Sequence, residues 1–364
     1  MNETQRLRAL GQSLWLDNIS RPLLDDGTLR RYIDDFSITG LTSNPTIFDE
    51  AIATGAYDDA IRSKAAAGKS GEALFVELAL EDLRRAADLF QPIFDETGHI
   101  DGWVSMELSP LLADDTAASI GAAARIYAQA ERANLFVKIP GTPQGIAAIE
   151  ESIFAGVPIN VTLLFSREQY LQAAEAYLRG IERRLDAGLD LRVGSVASVF
   201  ISRWDKAVSA KVPDSLNNRL GIAVALRTYR AYRELLASPR WRRLADSGAQ
   251  VQRLLWGSTG TKDPNAPDTM YVEALAAPAT INTLPEKTLY AFADHGELRG
   301  AMSEGGGDSE VALRRFAQAG IDVDALAVQL QQQGAQAFVK SWIALMRRIA
   351  QKSKALAEAG ARDA

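Results

Sequence analysis

Short apolar runs alternate with longer amphipathic stretches along most of the chain, and this alternation constrains the fold more than any other feature. The runs are rich in Val, Ile and Leu and have the length of buried strands, whereas the stretches between them carry apolar residues at helical spacing. Such alternation is typical of repeated βα units around a parallel sheet. We predict eight strands, at residues 13–19, 38–42, 102–108, 135–139, 158–165, 193–199, 253–257 and 280–282.

The amphipathic stretches include residues 115–132, 167–185 and 214–236. Eight strands alternating with helices favour a closed barrel over an open doubly wound sheet, and no G-x-G-x-x-G or P-loop sequence follows a predicted strand. We therefore predict an α/β fold, a (β/α)8 TIM barrel with additional helices, notably at the C-terminus. The expected organisation is a single domain over residues 1–364, with a barrel core at about 13–300 and a C-terminal helical extension at 308–359.

Extra helix is predicted in two places. Residues 49–92 carry more helix than one crossover requires, and residues 308–359 are typical of two or more helices separated near Gly320. The glycine run at 305–307 is the best candidate for a flexible joint before them. We expect the amphipathic stretch 311–357 to pack over the barrel mouth or against a neighbouring subunit, and a homodimer is compatible with the sequence.

Composition removes several kinds of chemistry. The absence of cysteine excludes disulfides, cysteine nucleophiles and thiolate metal sites. The two histidines, His99 and His295, lie in segments typical of loops or helix ends, which disfavours clustered metal ligands and a histidine base. We expect no cofactor and no metal. Catalysis would then depend on Lys, Asp, Glu, Ser, Thr and Tyr.

Charge and hydropathy bear on partners and location. The net charge of -6 is spread along the chain without clusters of Lys and Arg, so nucleic acid is not an expected partner. Residues 1–12 are polar and do not resemble a secretion signal, and no apolar run approaches the roughly 18 residues of a membrane helix. We expect a cytoplasmic protein with no membrane partner.

Polar side chains close or interrupt several predicted strands. Because the active site of an α/β barrel lies at the carboxyl ends of its strands, these residues are the first candidates for function. They are Asp17 after the first strand, Asn44 after the second, Glu107 at the end of the third, Lys138 inside the fourth, and Asn160 and Thr162 in the fifth.

Lys138 is the most unusual of these, because apolar residues flank it on both sides and a buried ammonium group is costly. Burial favours the neutral amine, which is a nucleophile able to attack a ketone and form an imine. The alternative is that Lys138 extends to solvent or forms a structural ion pair with Glu107 or Asp17. Taken alone, the lysine supports both interpretations equally.

Asp17 and Glu107, taken singly, are typical of carboxylates that cap a helix or hold a loop. Together with a lysine on a neighbouring strand they fit Schiff-base aldol chemistry. That chemistry needs one group to remove a proton from a sugar hydroxyl as the carbon–carbon bond breaks. It needs another to move protons while the imine forms and is hydrolysed.

The sixth and seventh strands lead into segments that contain Arg203, Ser258 and Lys262. Late loops of such barrels often bind phosphate through hydroxyls, backbone N–H groups and a cation, so we predict an anion site from these three residues. The alternatives are a salt bridge between Arg203 and Asp205 and a simple turn around residues 257–260. Without the resemblance described next, the alternatives are favoured.

Eight segments resemble the transaldolase family, in the longer form found in actinobacteria and cyanobacteria, and they occur in order between about residues 13 and 290. They are SLWLDNISR, LTSNPTIF, VSMELSP, FVKIPGTPQGIAAIE, INVTLLFS, SVASVFISRWD, WGSTGTKDP, and YVEALAAP followed by TINTLP.

The resemblance implies a metal-free Schiff-base enzyme of the pentose phosphate pathway. It would transfer a dihydroxyacetone unit from sedoheptulose 7-phosphate to glyceraldehyde 3-phosphate, giving erythrose 4-phosphate and fructose 6-phosphate. The resemblance makes Lys138 the imine-forming residue, Asp17 the base at the C4 hydroxyl, and Glu107 an acid and base acting through a water molecule.

The same resemblance assigns substrate contacts. Asn44 and Thr162 would hold substrate hydroxyls and the water, Ser198 would contact the substrate, and Arg203 and Ser258 would bind phosphate. We add Asn160 and Lys262 to the substrate-binding set; near Lys262 the loop differs in length from that of shorter relatives, which carry an arginine there.

Two other functions stay open from the sequence. One is an aldolase of the fructose-6-phosphate type that uses the same lysine and releases free dihydroxyacetone. The other is a non-catalytic sugar-phosphate binding barrel. Glu107 favours transfer over the first, and the presence of Asp17, Glu107 and Lys138 together argues against the second.

Overall fold

A computed structural model describes residues 2–362 of the chain. Its strands pair in chain order, every pair is parallel, and β8 pairs with β1 to close the barrel. The strands are β1 (Ser13–Leu16), β2 (Ile38–Leu41), β3 (Val104–Glu107), β4 (Leu135–Pro140), β5 (Ile159–Leu164), β6 (Ser195–Phe200), β7 (Gln252–Gly257) and β8 (Thr280–Leu284). The predicted (β/α)8 barrel is confirmed.

Helices follow the strands and form the outer layer. They are α1 (Glu3–Leu10), α2 (Arg21–Asp25), α3 (Thr28–Phe36), α4 (Pro45–Ala53), α5 (Asp58–Ala66), α6 (Gly71–Glu96), α7 (Thr116–Ala130), α8 (Pro143–Phe154), α9 (Arg167–Asp186), α10 (Ser202–Val208), α11 (Leu220–Ala237), α12 (Pro239–Asp246), α13 (Met270–Ala274), α14 (Glu286–His295), α15 (Ser309–Gln318) and α16 (Val323–Arg362). Short 3-10 turns occupy Gly55–Tyr57, Pro110–Leu112 and Asp214–Leu216.

The extra helices lie where the sequence predicts them. Residues 49–92 contain three helices in place of one, and the C-terminal segment forms α15 and α16 on either side of Gly320, whose φ of 83° is in the left-handed region. The prediction of a helix over 214–236 is wrong at its start. There Asn218 adopts a φ of 60°, and α11 begins at Leu220, where Asp205 accepts the backbone N–H groups of Leu220 and Gly221.

Aromatic and aliphatic side chains fill the amino-terminal half of the barrel interior. Trp103 and Phe136 stack with their ring centroids 3.9 Å apart, and Trp15, Phe94, Val196, Leu255 and Ile281 complete the cluster. Since side chains on a strand alternate between the two faces, the next inward position on each strand lies two residues later. Above the apolar layer these positions are Asp17, Lys138, Ser198, Gly257 and Thr283. The apolar layer thus lies directly beneath a second layer that consists mainly of polar side chains.

The long helix α16 runs over the carboxyl end of the barrel. Near its start, the Gln331 side-chain amide donates to the carbonyl oxygens of Gly141 and Leu163, both at 3.0 Å, at the ends of β4 and β5. Further along, Arg348 makes two hydrogen bonds to Asp49 in α4, which follows β2. The structure therefore places the C-terminal helix over the barrel mouth, one of the two positions we expected for it.

Within residues 2–362, no helix combines the length and apolar character that crossing a bilayer requires. Among the same residues, no group of His, Asp or Glu side chains is arranged to hold a metal ion.

Candidate active site

The pairing of three neighbouring strands sets the centre of the site. In the barrel register Glu107 on β3 lies beside Lys138 on β4, and Lys138 lies beside Asn160 on β5. Two ionisable groups and an amide, each on a different strand, are thus brought to one level of the barrel. The rigid hydrogen-bonded strands fix their separation, since a one-residue shift in register would turn a side chain to the other face.

Lys138 is almost fully buried. Its Nζ lies 2.7 Å from Glu107 Oε2, with 7% of each side chain exposed, and it donates a hydrogen bond of 3.0 Å to the carbonyl oxygen of Ser43. The ion pair with Glu107 that the sequence left open is therefore present. It does not exclude catalysis, because Lys138 also lines a cavity at the barrel mouth and can reach a bound ketone there.

Asp17 lies just beyond β1, where its backbone N–H donates to Leu284 of β8 at 2.8 Å. Its Oδ1 accepts a hydrogen bond of 2.9 Å from the Thr42 hydroxyl, which lies 2.8 Å from the hydroxyl of Thr283. Burial raises the pKa of Asp17, and the Lys138 ammonium opposes this rise only in part. The carboxylate is thus held in one orientation as a stronger base than an exposed aspartate.

Glu107 is in a similar environment. Burial raises the pKa of its carboxyl, the adjacent Lys138 ammonium lowers it in part, and the charge of Asp17 raises it further. A carboxyl whose pKa lies above the ordinary range exchanges protons more readily near neutral pH. Its contact with Lys138 Nζ places that exchange at the nitrogen that an imine would use.

Most of the predicted residues line one cavity at the carboxyl ends of the strands. They are Asp17, Asn44, Lys138, Thr162, Ser198, Arg203, Ser258 and Lys262. Glu107 and Asn160 do not line this cavity, and each lies beside Lys138 in the barrel register. Asn160 is fully buried, donates to Ser105 Oγ at 3.1 Å and accepts from the Ser198 hydroxyl at 2.7 Å. The structure therefore places Asn160 where it orients Ser198.

Asn44 and Thr162 differ in how they are held. The Asn44 side-chain oxygen accepts from the backbone N–H of Ile47 at 3.1 Å and caps α4, so this residue has a structural role in addition to lining the cavity. Thr162 Oγ1 is buried and has no hydrogen-bond partner within the part of the chain that the structure describes. A buried hydroxyl without a partner fits a site for a water molecule or a substrate hydroxyl.

Arg203 and Ser258 also line the cavity. Arg203 is half-buried beside the ring of Phe200, with its Cζ 5.7 Å from the ring centroid, and burial lowers the pKa of its guanidinium. Asp205 accepts hydrogen bonds from the backbone of α11 and from Tyr271, so the alternative of an Arg203–Asp205 salt bridge is wrong. A half-buried cation that lines the cavity is suited to bind an anion.

Ser258 lies in a turn that leaves β7 with a φ of 54°, and its hydroxyl is 2.9 Å from that of Ser202, the first residue of α10. Lys262 follows in the same loop and borders both this cavity and a neighbouring one. The loop therefore brings the Ser258 hydroxyl and a second cation towards the start of α10, which carries Ser202 and Arg203.

Comparison with known proteins gives the same family as the resemblance in the sequence. A family model described as transaldolase/fructose-6-phosphate aldolase matches residues 14–349. A transaldolase from Thiobacillus denitrificans is 42% identical over 359 residues, which cover 96% of this chain and 100% of that protein. One from Acidothermus cellulolyticus is 43% identical over 348 residues (93% and 94%), and transaldolase 2 from Nostoc sp. is 38% identical over 376 residues (98% and 99%).

The chain belongs to the transaldolase/fructose-6-phosphate aldolase family. The match covers nearly the whole barrel and most of α16, and the relatives include an actinobacterial and a cyanobacterial protein, so the resemblance seen in the sequence is confirmed. The chain is therefore a member of a family of enzymes that act on sugar phosphates.

Eight residues that line the cavity were not among the predicted site residues: Thr42, Phe200, Leu255, Gly257, Gly260, Thr283, Pro285 and Phe338. Thr42 and Thr283 had a usable signal, since each is a hydroxyl residue at or beyond the end of a predicted strand. Phe338 had none, because a phenylalanine on the apolar side of an amphipathic helix is typical of an ordinary core residue.

Proposed function

We propose that this chain is a transaldolase that moves a dihydroxyacetone unit from sedoheptulose 7-phosphate to glyceraldehyde 3-phosphate in the pentose phosphate pathway. The observation that carries the proposal is the buried Lys138 Nζ, 2.7 Å from Glu107 and in the same cavity as Asp17. Family membership supports it, because the relatives are named transaldolase.

The reaction begins at Lys138. Its neutral amine attacks the ketone carbon of the donor, and loss of one water molecule gives the imine. Glu107 supplies and removes the protons in these steps, which its position against Nζ and its raised pKa both favour. The hydroxyl of Thr162 is available to hold the water that carries the proton.

Asp17 acts at the carbon–carbon bond. It takes the proton from the C4 hydroxyl while the C3–C4 bond breaks, erythrose 4-phosphate leaves, and the electron pair is held as an enamine on Lys138. The enamine then attacks the aldehyde carbon of glyceraldehyde 3-phosphate, and Asp17 returns the proton to the new hydroxyl. Hydrolysis of the product imine by one water molecule releases fructose 6-phosphate and restores the Lys138 amine.

Both donor and acceptor carry a phosphate far from the reacting carbon. Arg203, Ser258 and Lys262 line the cavity and have the cationic and hydroxyl groups that bind phosphate. Asn44 and Ser198 line the same cavity and would hold hydroxyls of the sugar chain. Binding one phosphate at a fixed place aligns either substrate with the imine.

Borohydride reduction tests the covalent step. Incubation with fructose 6-phosphate and borohydride is expected to add a three-carbon unit to Lys138, detected as a mass increase on its tryptic peptide. The Lys138→Ala variant is expected to take up no label and to lose transfer activity, whereas Lys206→Ala, a lysine outside the active-site cavity, keeps both. An unlabelled Lys138 together with turnover in Lys138→Ala contradicts any imine mechanism.

A second measurement separates transfer from simple cleavage. With sedoheptulose 7-phosphate and glyceraldehyde 3-phosphate, we expect fructose 6-phosphate to form at the rate at which the donor is consumed. Accumulation of free dihydroxyacetone without fructose 6-phosphate would identify an aldolase. If neither fructose 6-phosphate nor dihydroxyacetone forms and Lys138 takes up no label, the remaining interpretation is a non-catalytic sugar-phosphate binding barrel.

The proposal also covers the location, partners and assembly of the enzyme. We propose a cytoplasmic enzyme with sugar phosphates as its partners, working as one domain over residues 1–364 and compatible with a homodimer. Sedimentation of the purified chain checks the last point.

A further inference from the structure

Helix α16 contributes one side chain to the catalytic cavity. The other described residues that line the cavity lie on barrel strands, in the loops that follow them, or at the start of α10, whereas Phe338 lies near the middle of α16. The ring of Phe338 is half-buried and packs against the apolar cluster that includes Leu163 and Phe165. An aromatic side chain from outside the barrel therefore forms part of the cavity wall.

The chain fixes Phe338 there from both sides. On one side, Gln331 is hydrogen-bonded to the ends of β4 and β5, and α16 lies so close to β5 that a methyl group on Gly334 would be 2.9 Å from Leu163 Cδ2. On the other side, Ser341 Oγ accepts from Thr46 Oγ1 at 2.9 Å. The helix between Gln331 and Ser341 spans about 15 Å, so Phe338 lies within an anchored segment.

The imine on Lys138 has two possible fates. Attack of its enamine carbon on an acceptor aldehyde forms a carbon–carbon bond and gives transfer. Protonation of that carbon, followed by addition of one water molecule across the C=N bond, instead releases dihydroxyacetone and the free amine, which ends the cycle without transfer. After the first aldehyde product leaves, the part of the cavity that it occupied is open, so the access of water to the imine decides between the two fates.

We propose that Phe338 is a specificity-determining residue that favours transfer over hydrolysis by forming an apolar wall between the imine and solvent. The inference rests on the proposed function. Phe200 and Phe338 line the same cavity, and Phe200 lies against Phe165, with ring centroids 5.6 Å apart. Arg203 beside Phe200 binds the incoming phosphate, so an acceptor enters past the aromatic side of the cavity with a charge to anchor it.

The test compares two rates in the full-length enzyme. Release of free dihydroxyacetone from fructose 6-phosphate is measured without an acceptor, and transfer is measured with erythrose 4-phosphate. Phe338→Ala is expected to raise the ratio of release to transfer by about tenfold, equivalent to about 1.4 kcal/mol between the two barriers. Phe338→Leu, which keeps an apolar wall of smaller size, is expected to raise it by about twofold to threefold.

Ile343→Ala is the matched control, because Ile343 lies on the same helix, is 40% exposed and lines none of the described cavities. Its ratio should equal that of the wild type. An unchanged ratio in a folded Phe338→Ala enzyme overturns the inference. If thermal unfolding shows that Phe338→Ala does not fold, Phe338→Leu decides: an increase in its ratio supports the inference, and an unchanged ratio overturns it.

The two proposals fail in different ways. If borohydride labels wild-type Lys138 but the ratio does not respond to Phe338, only the role of Phe338 is lost. If wild-type Lys138 takes up no label, the imine mechanism and the role of Phe338 are both overturned.

Discussion

Three ionisable side chains share the buried centre of the barrel, and the charge of Lys138 acts on both carboxyls. Burial disfavours the charged forms of Asp17 and Glu107, while the Lys138 ammonium favours them. The balance leaves both carboxyls with a raised pKa. These groups are therefore arranged for proton transfer at some cost in stability, which is common where side chains take part in chemistry.

Asp17→Asn tests this balance. We expect kcat to fall by about 10²- to 10⁴-fold through loss of the base. The free energy of unfolding at pH 7 should rise by about 0.5–2 kcal/mol, because a buried charge is removed while the oxygen that accepts from Thr42 is kept.

The raised pKa of Asp17 also sets the direction in which stability should change with pH. Because the folded-state pKa of Asp17 is raised above 3.8, the wild type loses stability as the pH rises from that value through the folded pKa. The advantage of Asp17→Asn should therefore be largest at neutral pH and shrink as the pH falls towards 4, as measured by urea unfolding across this range. A gain that does not depend on pH would contradict this explanation.

Arg203→Met tests the anion site. We expect the KM for glyceraldehyde 3-phosphate to rise by about 10- to 100-fold, the range for loss of a charged hydrogen bond, with little change for unphosphorylated glyceraldehyde. Steady-state kinetics with the two acceptors measures the difference. Arg192→Met, at an arginine whose side chain is 62% exposed, is the control. Equal effects on both acceptors would show that Arg203 does not bind the phosphate.

At the scale of elements, the sequence predicts the strands of the barrel better than it predicts how α16 packs against them. Strands such as β4 and β5 are buried apolar runs with single polar interruptions, so both the strands and their site residues could be found. The end of β8 was placed too early because Thr283 interrupts the apolar run, although the strand continues to Leu284. The packing of α16 on α4 and β5 could not be predicted, because helical periodicity shows an apolar face without showing what covers it.

Trp342→Ala tests how firmly α16 is seated. Trp342 is 3% exposed, and its ring meets that of Phe75 in α6 edge-on at a centroid distance of 5.2 Å. We expect the variant to lose about 3 kcal/mol of unfolding free energy, as for other large core truncations. The neighbouring Ile343→Ala should change it by about 0.5 kcal/mol or less. Similar small losses in both variants would show that α16 is only loosely attached.

At the scale of the whole molecule, the two ends of the barrel have different tasks. The carboxyl end carries the cavity lined by Asp17 and Lys138, while the amino end holds a buried polar network. There Asp101 accepts from the Trp15 indole at 2.8 Å and from the Ser13 hydroxyl, and Arg253 donates to Ser13 at 2.7 Å and to the Thr280 carbonyl at 2.9 Å. The apolar layer around Trp103 and Phe136 separates the two.

Asp101→Ala tests this division. The change leaves the Trp15 indole N–H without its acceptor and removes the carboxylate that lies 3.8 Å from the buried Arg253 guanidinium, so we expect a loss of about 3 kcal/mol in unfolding free energy. Values of kcat/KM at a temperature where the variant stays folded should lie within about twofold of the wild type, because the chemistry is at the other end. A selective loss of kcat would contradict the separation of the two ends.

The position of α16 also has a consequence in time. At about 5–20 residues per second, the ribosome releases α4 and α6 tens of seconds before the helix that covers them. During that interval Phe75, which packs against Phe48 and against Trp342 of α16, lacks its contact with Trp342, and the cavity lined by Lys138 lacks Phe338. The last helix to be made thus covers an apolar surface and completes the cavity wall in one step.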